Sequence, residues 1–587
     1  MADLRNTTQE LIPVRKTTPP AGDYDIYPVL DVGDNLVHEG YASLARRMAG
    51  HGTVTVDGVQ GVFYDIFKRE LSREFARLGL KVLWWDVSAA LRPAEEIERM
   101  VEPFLGGDDP IFGFRTTLSL ADFYDPAMLA SIKPDKAADV NILTGPGTAL
   151  ARWEGPLFYL EVPKNEIQFR MRAGAVTNLG VEKPCAPKPM YKRSYFVDWV
   201  VAGRHKKDIL RKIDVFVDGQ RPFEPTWAEG ATVIDALKTM SVNMFRVRPW
   251  FEPGAWGGGW IRDNITALPD DVPNYAWSFE LIVPENGLLI GSGGVMLEVP
   301  FETIMFACGE NVLGERDYAK YGDEFPIRMD FLDNFDGGNL SIQCHPQLDY
   351  MRENFGEMMT QEETYYILDT KDDAVVYLGF REDIAPGKFE AALIESFVSG
   401  TPFDVDRYVQ SVPARKHGLY LIPPGTLHSS GRNNLVLEIS TTPYIFTFKM
   451  YDWLALDLDG KPRPLNIRRG MENLCFERKG DVVTGEHVSK PELIASGEGW
   501  QLYHLPTHRN HSYDVHRYNI SGGVMVETEE KCHVLSLVGG ESVTVECRNG
   551  LRQRINYAET FVVPAAAGSY TITSDGSQAM VVKAFMK

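Results

Sequence analysis

The sequence predicts a multidomain protein: an N-terminal parallel-sheet α/β domain, then a mainly β region. That region is read as a jelly-roll barrel with a helical insert and a second, small C-terminal β-barrel. Three observations carry this expectation. The 587 residues exceed what one hydrophobic core organises, so about three or four domains are expected. From about 51 to 170, short apolar runs alternate with helix-periodic segments. From about 246 onward, many short apolar runs are separated by Gly, Pro and Asp turns.

Taken in order, residues 1–50 read as a flexible lead-in, because "MADLRNTTQELIPVRKTTPP" has no apolar core of a secretory signal. Residues 51–245 form the α/β domain. "GTVTVDG" is strand-like, "VFYDIFKRELSREFARLG" places apolar residues at helical spacing, and "LKVLWWDV" is a strand again. "DVNILTG" and "GPLFYLEVP" add two more strands, and strand, helix, strand in sequence implies parallel pairing with right-handed crossovers. Residues 246–489 form the first β domain, with helical periodicity in "KFEAALIESFVSG" and "DVDRYVQSV" marking an insert over about 386–414. Residues 490–587 are read as the smaller barrel.

Composition excludes several classes. Sixty basic against 81 acidic residues give a net charge of −21, which repels a nucleic-acid backbone or an anionic membrane. The basic run "RHKKDILRK" (204–212) reads as a solvated helix face. No apolar run approaches the ~20 residues of a membrane span. The six cysteines include no CxxC pair, so neither a disulfide framework nor a thiolate zinc site is expected, and the protein is placed in the cytoplasm.

The loop "DGVQGVFYD" (57–65) stands where a phosphate-binding turn would follow a first strand. Gly58 and Gly61 suit that turn, but Phe63, Tyr64 and Asp65 stand where a glycine, a lysine and a hydroxyl would be needed. Asp65 is better read as a helix N-cap. The segment from 51 to about 217 resembles a nucleoside or uridine kinase type P-loop domain that has lost its nucleotide site. No nucleotide is therefore expected.

The chemistry concentrates in the middle of the chain. In "NLSIQCHPQL" (339–348), side chains two apart point the same way, so Ser341, Gln343 and His345 share one face of a strand. A buried glutamine and histidine are costly unless something satisfies them. "TQEETYYILD" (360–369) offers a carboxylate at a strand mouth, with Glu363, Tyr365 and Ile367 alternating inward. "IPPGTLHSS" (422–430) holds a histidine beside a Pro-Gly turn. One carboxylate, two imidazoles and an amide oxygen make a divalent-metal site with room for water or substrate.

These motifs, with "FEPGAWGGGW" (251–260), "LVLEIS" and "KMYDW" (449–453), give the half from about 246 to 587 its resemblance to type I phosphomannose isomerase, a zinc-dependent cupin enzyme. The resemblance implies one divalent metal, Zn2+, held by Gln343, His345, Glu363 and His428, with Glu362 the neighbouring alternative to Glu363. It implies that Ser341 lies near a substrate phosphate, that Trp256 lines the pocket, and that an aldose and its 2-ketose interconvert through an enediolate. The expected partner is a small sugar or sugar phosphate, mannose 6-phosphate or a relative; oligomeric state is not indicated.

The chain also departs from the family. Lys449 stands where the family carries an active-site arginine, keeping the charge but losing the bidentate fork. It is assigned an electrostatic or proton-handling role. Gln361 and Asn339 replace two usual lysines, so Gln361 is a substrate-site position short of a cation. These losses keep an alternative open: a non-catalytic sugar-binding or regulatory protein pairing a dead kinase-like domain with a cupin. The run "YHLPTHRNHSYDVHRY" (503–518) is histidine-rich, but His508, His511 and His516 lack a carboxylate or cysteine partner at a recognisable spacing, so no second metal is expected.

Overall fold

In a computed structural model of the protein, which describes all residues except 1–3, 18, 21, 284, 372, 457–462 and 577, the chain divides into two compact units. The first comprises residues 1–17, 27–240 and 284–308; the second comprises 18–26, 241–283 and 309–587.

A seven-stranded sheet forms the centre of the first unit, in the order Val37–Glu39, Thr226–Glu229, Val215–Asp218, Leu157–Glu161, Thr53–Gly58, Val140–Thr144, Val82–Asp86. The last five strands of that order pair in parallel, as expected, while the first two add an antiparallel edge. Parallel strands covered on both faces read as continuous apolar runs, which is why "VNILT" and "LFYLE" are wholly buried. Helices Gly40–Met48 and Tyr64–Arg77 bury Leu44, Met48, Phe67, Leu71 and Phe75 in the same core as Val54, Val56 and Ile142.

Several expectations change here. The stretch 1–50 is not merely a lead-in: Val29–Asp31 pairs in parallel with Gly287–Ser292, and Val37–Glu39 and Gly40–Met48 belong to the unit's fold. Strands from 287–300 complete a small sheet of this unit, so its boundary is not at 245. Asp65 is not the N-cap. Phe63 takes that position and Asp65 lies in the first turn, where its charge still complements the helix dipole. The loop before that helix is packed by Arg170, whose guanidinium lies 4.2 Å over the Phe63 ring and donates to Gly61 O at 2.9 Å. The basic run 204–212 is not fully solvated either. His205 faces Asp57 at 2.9 Å, and fully buried Lys206 pairs with Glu161 and donates to Thr303 Oγ1 at 2.8 Å.

In the second unit, a six-stranded antiparallel sheet runs Leu419–Ile422, Glu363–Thr370, Asn434–Thr441, Ile327–Asp333, Trp277–Leu281, Trp250–Glu252. A five-stranded sheet runs Val409–Pro413, Val375–Phe380, His428–Ser430, Ile342–Cys344, Phe448–Tyr451. Leu332, Tyr365, Ile367, Val436 and Tyr420 from the first sheet share one core with Val376, Leu378 and Val412 from the second. The expected closed barrel is replaced by two open sheets, since no ladder among the described residues joins their edges. Register breaks at Ser278/Leu281, Ile367/Asp369 and Tyr377/Phe380 bend the strands and increase their twist, which turns the edges away from continued pairing.

The insert holds helices Pro386–Ser399 and Val405–Tyr408, but the "VQSVP" read as helical is a strand paired with Val375–Phe380. The C-terminal region likewise forms two open sheets, of six and four strands, around a core including Tyr518, Ile520, Leu535, Val543, Val545 and Phe561.

Candidate metal centre

The strand Ile342–Cys344 lies between His428–Ser430 and Phe448–Tyr451, with Gln343 opposite His428 on one side and Lys449 on the other. His345 follows the end of that strand, and Glu363 opens the strand Glu363–Thr370. These elements bring the predicted ligands together in the interior, where His345, Glu363 and His428 are at most 1% exposed and Gln343 is 7% exposed.

The orientation of the imidazoles has a local cause. His345 Nδ1 lies 3.1 Å from Phe446 O, and His428 Nδ1 lies 2.9 Å from Thr426 O. A carbonyl can only accept, so each Nδ1 carries the proton and each Nε2 presents a lone pair. Both Nε2 atoms converge on one carboxylate oxygen: His345 Nε2 at 3.1 Å and His428 Nε2 at 2.9 Å from Glu363 Oε2. Burial raises the Glu363 carboxyl, and positive charge at the His428 and His345 positions lowers it well below the usual carboxylate range, a charge that neutral imidazoles leave to a bound cation. Burial in turn keeps His345 neutral, pulling it below its ordinary value despite Glu363.

Three lone-pair donors facing one another in the interior, with Glu363 Oε1 buried and given no geometric hydrogen-bond partner among the described residues, call for a cation at their centre. The donor set of two imidazoles and a carboxylate fits a divalent transition metal. Gln343 is adjacent: its amide nitrogen lies 3.3 Å from His428 Nε2, while its Oε1 accepts from Ser341 Oγ at 2.8 Å. As a fourth ligand its amide would have to turn its oxygen toward the imidazoles. Glu362 points the other way, accepting from Ser512 N at 2.5 Å and Ser512 Oγ at 2.7 Å, so it does not join the centre.

Beside Glu363 lies a charged group that the sequence reading missed. Arg328, Ser440 and Glu363 are register partners across three strands, and Asp330, Glu438, Tyr365 and Tyr420 form the next row. Arg328 Nη2 donates to Glu438 Oε1 at 2.6 Å and to Asp330 Oδ1 at 3.3 Å. Gln361 Nε2 reaches the same Glu438 oxygen at 3.0 Å. A guanidinium from two strands away therefore reaches the same carboxylate as Gln361, where the chain lacks a lysine. Burial, with Asp330 and Glu363 adding to it, pushes the Glu438 carboxyl well above its usual range in spite of Arg328. Arg328 Nε and Nη1, Gln361 Oε1 and Tyr365 Oη are buried with no hydrogen-bond partner among the described residues. The signal for Arg328 and Asp330 was the alternation in "IRMDFLD", hidden because every residue of that strand is buried.

Trp256 and Lys449 stand outside the centre. Trp256 is buried edge-on to Trp277, with ring centroids 4.7 Å apart. It also lines a cleft of about 170 Å³ with Gly338, Asn339, Asp452, Trp453 and Arg463, at the upstream end of the segment carrying Gln343. Lys449 is half-buried opposite Gln343, and its backbone bonds to Asn466.

Residues 40–242 match a family described as "Domain of unknown function (DUF8485)". The chain is 26% identical over 331 residues to GmuF of Bacillus subtilis, named "Probable mannose-6-phosphate isomerase", covering 56% of this chain and 95% of that protein. It is 23% identical over 323 residues to the mannose-6-phosphate isomerase of Streptococcus mutans, covering 54% of this chain and 92% of the relative. Among solved structures, the mannose 6-phosphate isomerase of Bacillus subtilis aligns with 20% identity and a TM-score of 0.46, over 58% of this chain and 99% of that one. Over more than half its length the chain is thus similar in sequence to proteins named mannose-6-phosphate isomerase. The matched family over 40–242 carries no functional description.

Proposed function

We propose that the protein is a zinc-dependent aldose–ketose isomerase that interconverts mannose 6-phosphate and fructose 6-phosphate, or a closely related sugar phosphate. The observation that carries this reading is the convergence of His345 Nε2 and His428 Nε2 on Glu363 Oε2 in a buried site. Relatives named mannose-6-phosphate isomerase support the same reaction class. His345, Glu363 and His428 would hold the ion, with Gln343 as the fourth ligand after its amide turns. When bound, the ion supplies Lewis-acid stabilisation of the negative charge that develops on the sugar oxygens as a proton moves between C1 and C2.

The chain's own residues would do the rest. Arg328 Nε and Nη1, Tyr365 Oη and Gln361 Oε1 offer donors and acceptors along one inner face, which suits a polyhydroxylated ligand. The Arg328 charge compensates for the uncharged Gln361. Lys449, across the strand from Gln343, adds positive potential on the same face and favours an enediolate.

The direct test follows conversion of mannose 6-phosphate to fructose 6-phosphate by the purified protein, before and after chelation and after zinc is restored, with free mannose in parallel. Zinc-restorable turnover of the phosphorylated sugar supports the reading. Turnover of free mannose alone would reassign the substrate, and no turnover with zinc bound would favour a sugar-binding role.

A further inference from the structure

The histidine-rich run that followed no metal-ligand spacing in the sequence folds into a second cluster. Trp500–Leu505 and Tyr513–Ile520 pair antiparallel, with His504 directly opposite His516. Side chains of directly opposed residues on one face of a sheet are neighbours, and here the ring centroids are 5.3 Å apart. Asp514 lies two residues before His516, hence on the same face, and its Oδ2 is 2.9 Å from His504 Nε2. The other carboxylate oxygen is occupied, accepting from Thr507 Oγ1 at 3.2 Å and Val515 N at 3.0 Å. That leaves Oδ2 for the cluster.

One ligand atom from each of the three residues lies within 4.8 Å of the other two. His516 Nδ1 is buried and has no hydrogen-bond partner among the described residues, a ligand nitrogen without an occupation. The His504 and Asp514 side chains are 27% and 19% exposed, so an ion and a water ligand can reach them. The same face continues through Leu502, Tyr518 and Ile520 into the C-terminal core, which places the trio at the rim of a packed domain.

We propose that His504, Asp514 and His516 form a second metal centre, which binds a divalent transition ion such as Zn2+ through three protein ligands and keeps a coordination position open to solvent. Two imidazoles and one carboxylate match the donor preference of zinc, and three protein ligands are the count seen where a fourth position stays exchangeable. Two cations oppose it: Lys531, whose ammonium lies 5.1 Å from the Phe585 ring centroid, and Lys583. Lys583 is the register partner of His516 on the strand Ala579–Met586, with its ammonium over the rings of Phe585 at 4.7 Å and Tyr518 at 5.7 Å. Their charges weaken a dication here, so this centre binds less tightly than the buried one. The proposal does not depend on the isomerase reading, because no residue is shared between the two clusters.

The test uses the full-length protein, stripped with chelator and titrated with Zn2+, with bound metal measured after dialysis. Wild type is expected to take two equivalents per chain. The double variant His504→Ala/His516→Ala is expected to take one, and so is His345→Ala/His428→Ala; the combination of all four takes none. Asp514→Asn, which preserves shape, should weaken the second equivalent at least about tenfold, and Lys583→Met should tighten it. One equivalent in wild type that is retained in His504→Ala/His516→Ala, or two in that variant with unchanged circular dichroism, would overturn the second centre. Loss of only the buried equivalent in His345→Ala/His428→Ala would leave it standing, whatever the isomerase assay shows.

Discussion

Two clusters of two histidines and a carboxylate stand on antiparallel strands of this chain, and they differ in what holds the imidazoles. In the buried cluster, Phe446 O and Thr426 O take the Nδ1 protons of His345 and His428, so both Nε2 atoms aim at Glu363 before any ligand arrives. In the C-terminal cluster, His516 Nδ1 has no hydrogen-bond partner among the described residues and His504 Nε2 leans on Asp514. The carbonyls settle tautomer and ring orientation in one case and leave them to the ligand in the other. Preorganisation of this kind sets affinity, so the buried cluster is expected to bind the same ion more tightly.

The most severe way to break the comparison is to remove the anion of the buried cluster. Glu363→Gln should lower zinc affinity by roughly a hundredfold or more, with isomerase turnover lost in proportion. Retained stoichiometric zinc in that variant would show that the carboxylate is not a ligand. Next in size is Arg328→Met, which leaves Asp330 without its buried counter-charge and Glu438 without its Arg328 donor. A loss of about 3–5 kcal/mol in denaturant unfolding is expected. A change under about 1 kcal/mol would mean that the carboxyls tolerate the interior alone.

A third prediction contrasts two buried carboxyls. Glu363 is held down by positive charge at the His345 and His428 positions, whereas Glu280, hydrogen-bonded by Tyr24 and Ser278, is pushed up to about 7 by burial. In the unfolded chain this group ionises near 4.5, so the unfolded state loses its proton first as pH rises. Stability should therefore fall between pH 4.5 and 7 and stay level above that window. Glu280→Gln should flatten this slope, gaining on the order of 1–3 kcal/mol over wild type at pH 8 and nothing at pH 4. An unchanged slope would assign the pH dependence elsewhere. Smallest is Ser341→Ala, which removes the hydrogen bond to Gln343 Oε1 at a cost of about 1 kcal/mol. If Gln343 turns its oxygen to the ion, this variant should bind zinc no more weakly than wild type; a tenfold loss would show that Ser341 orients the amide.

The same contrast explains what could be read from the sequence. That Gln343 and His345 face one side was legible because strand alternation places residues two apart on one face, whereas the choice of Glu363 came from the resemblance, through the Tyr-Tyr-Ile that sets its register. Arg328, Asp330 and Glu438 were not, since both faces of their strands are buried and alternation leaves no polar stripe. The His504–Asp514–His516 trio was missed for a different reason: its members meet across a ladder, and spacing along the chain does not report cross-strand pairing. The alternating α/β texture of the first unit was readable in order and direction. That residues 284–308 return to that unit was not, because a strand's local pattern does not say which sheet it joins. Burial of His205 and Lys206 was equally hidden, since their partners Asp57 and Glu161 lie on separate strands.

The measurement that bears most directly on the central claim is zinc content together with mannose 6-phosphate isomerase activity, in wild type and in His345→Ala. The account predicts zinc at the buried centre of wild type, turnover that depends on it, and loss of both in the variant. A variant that keeps its full zinc content and turnover would contradict it.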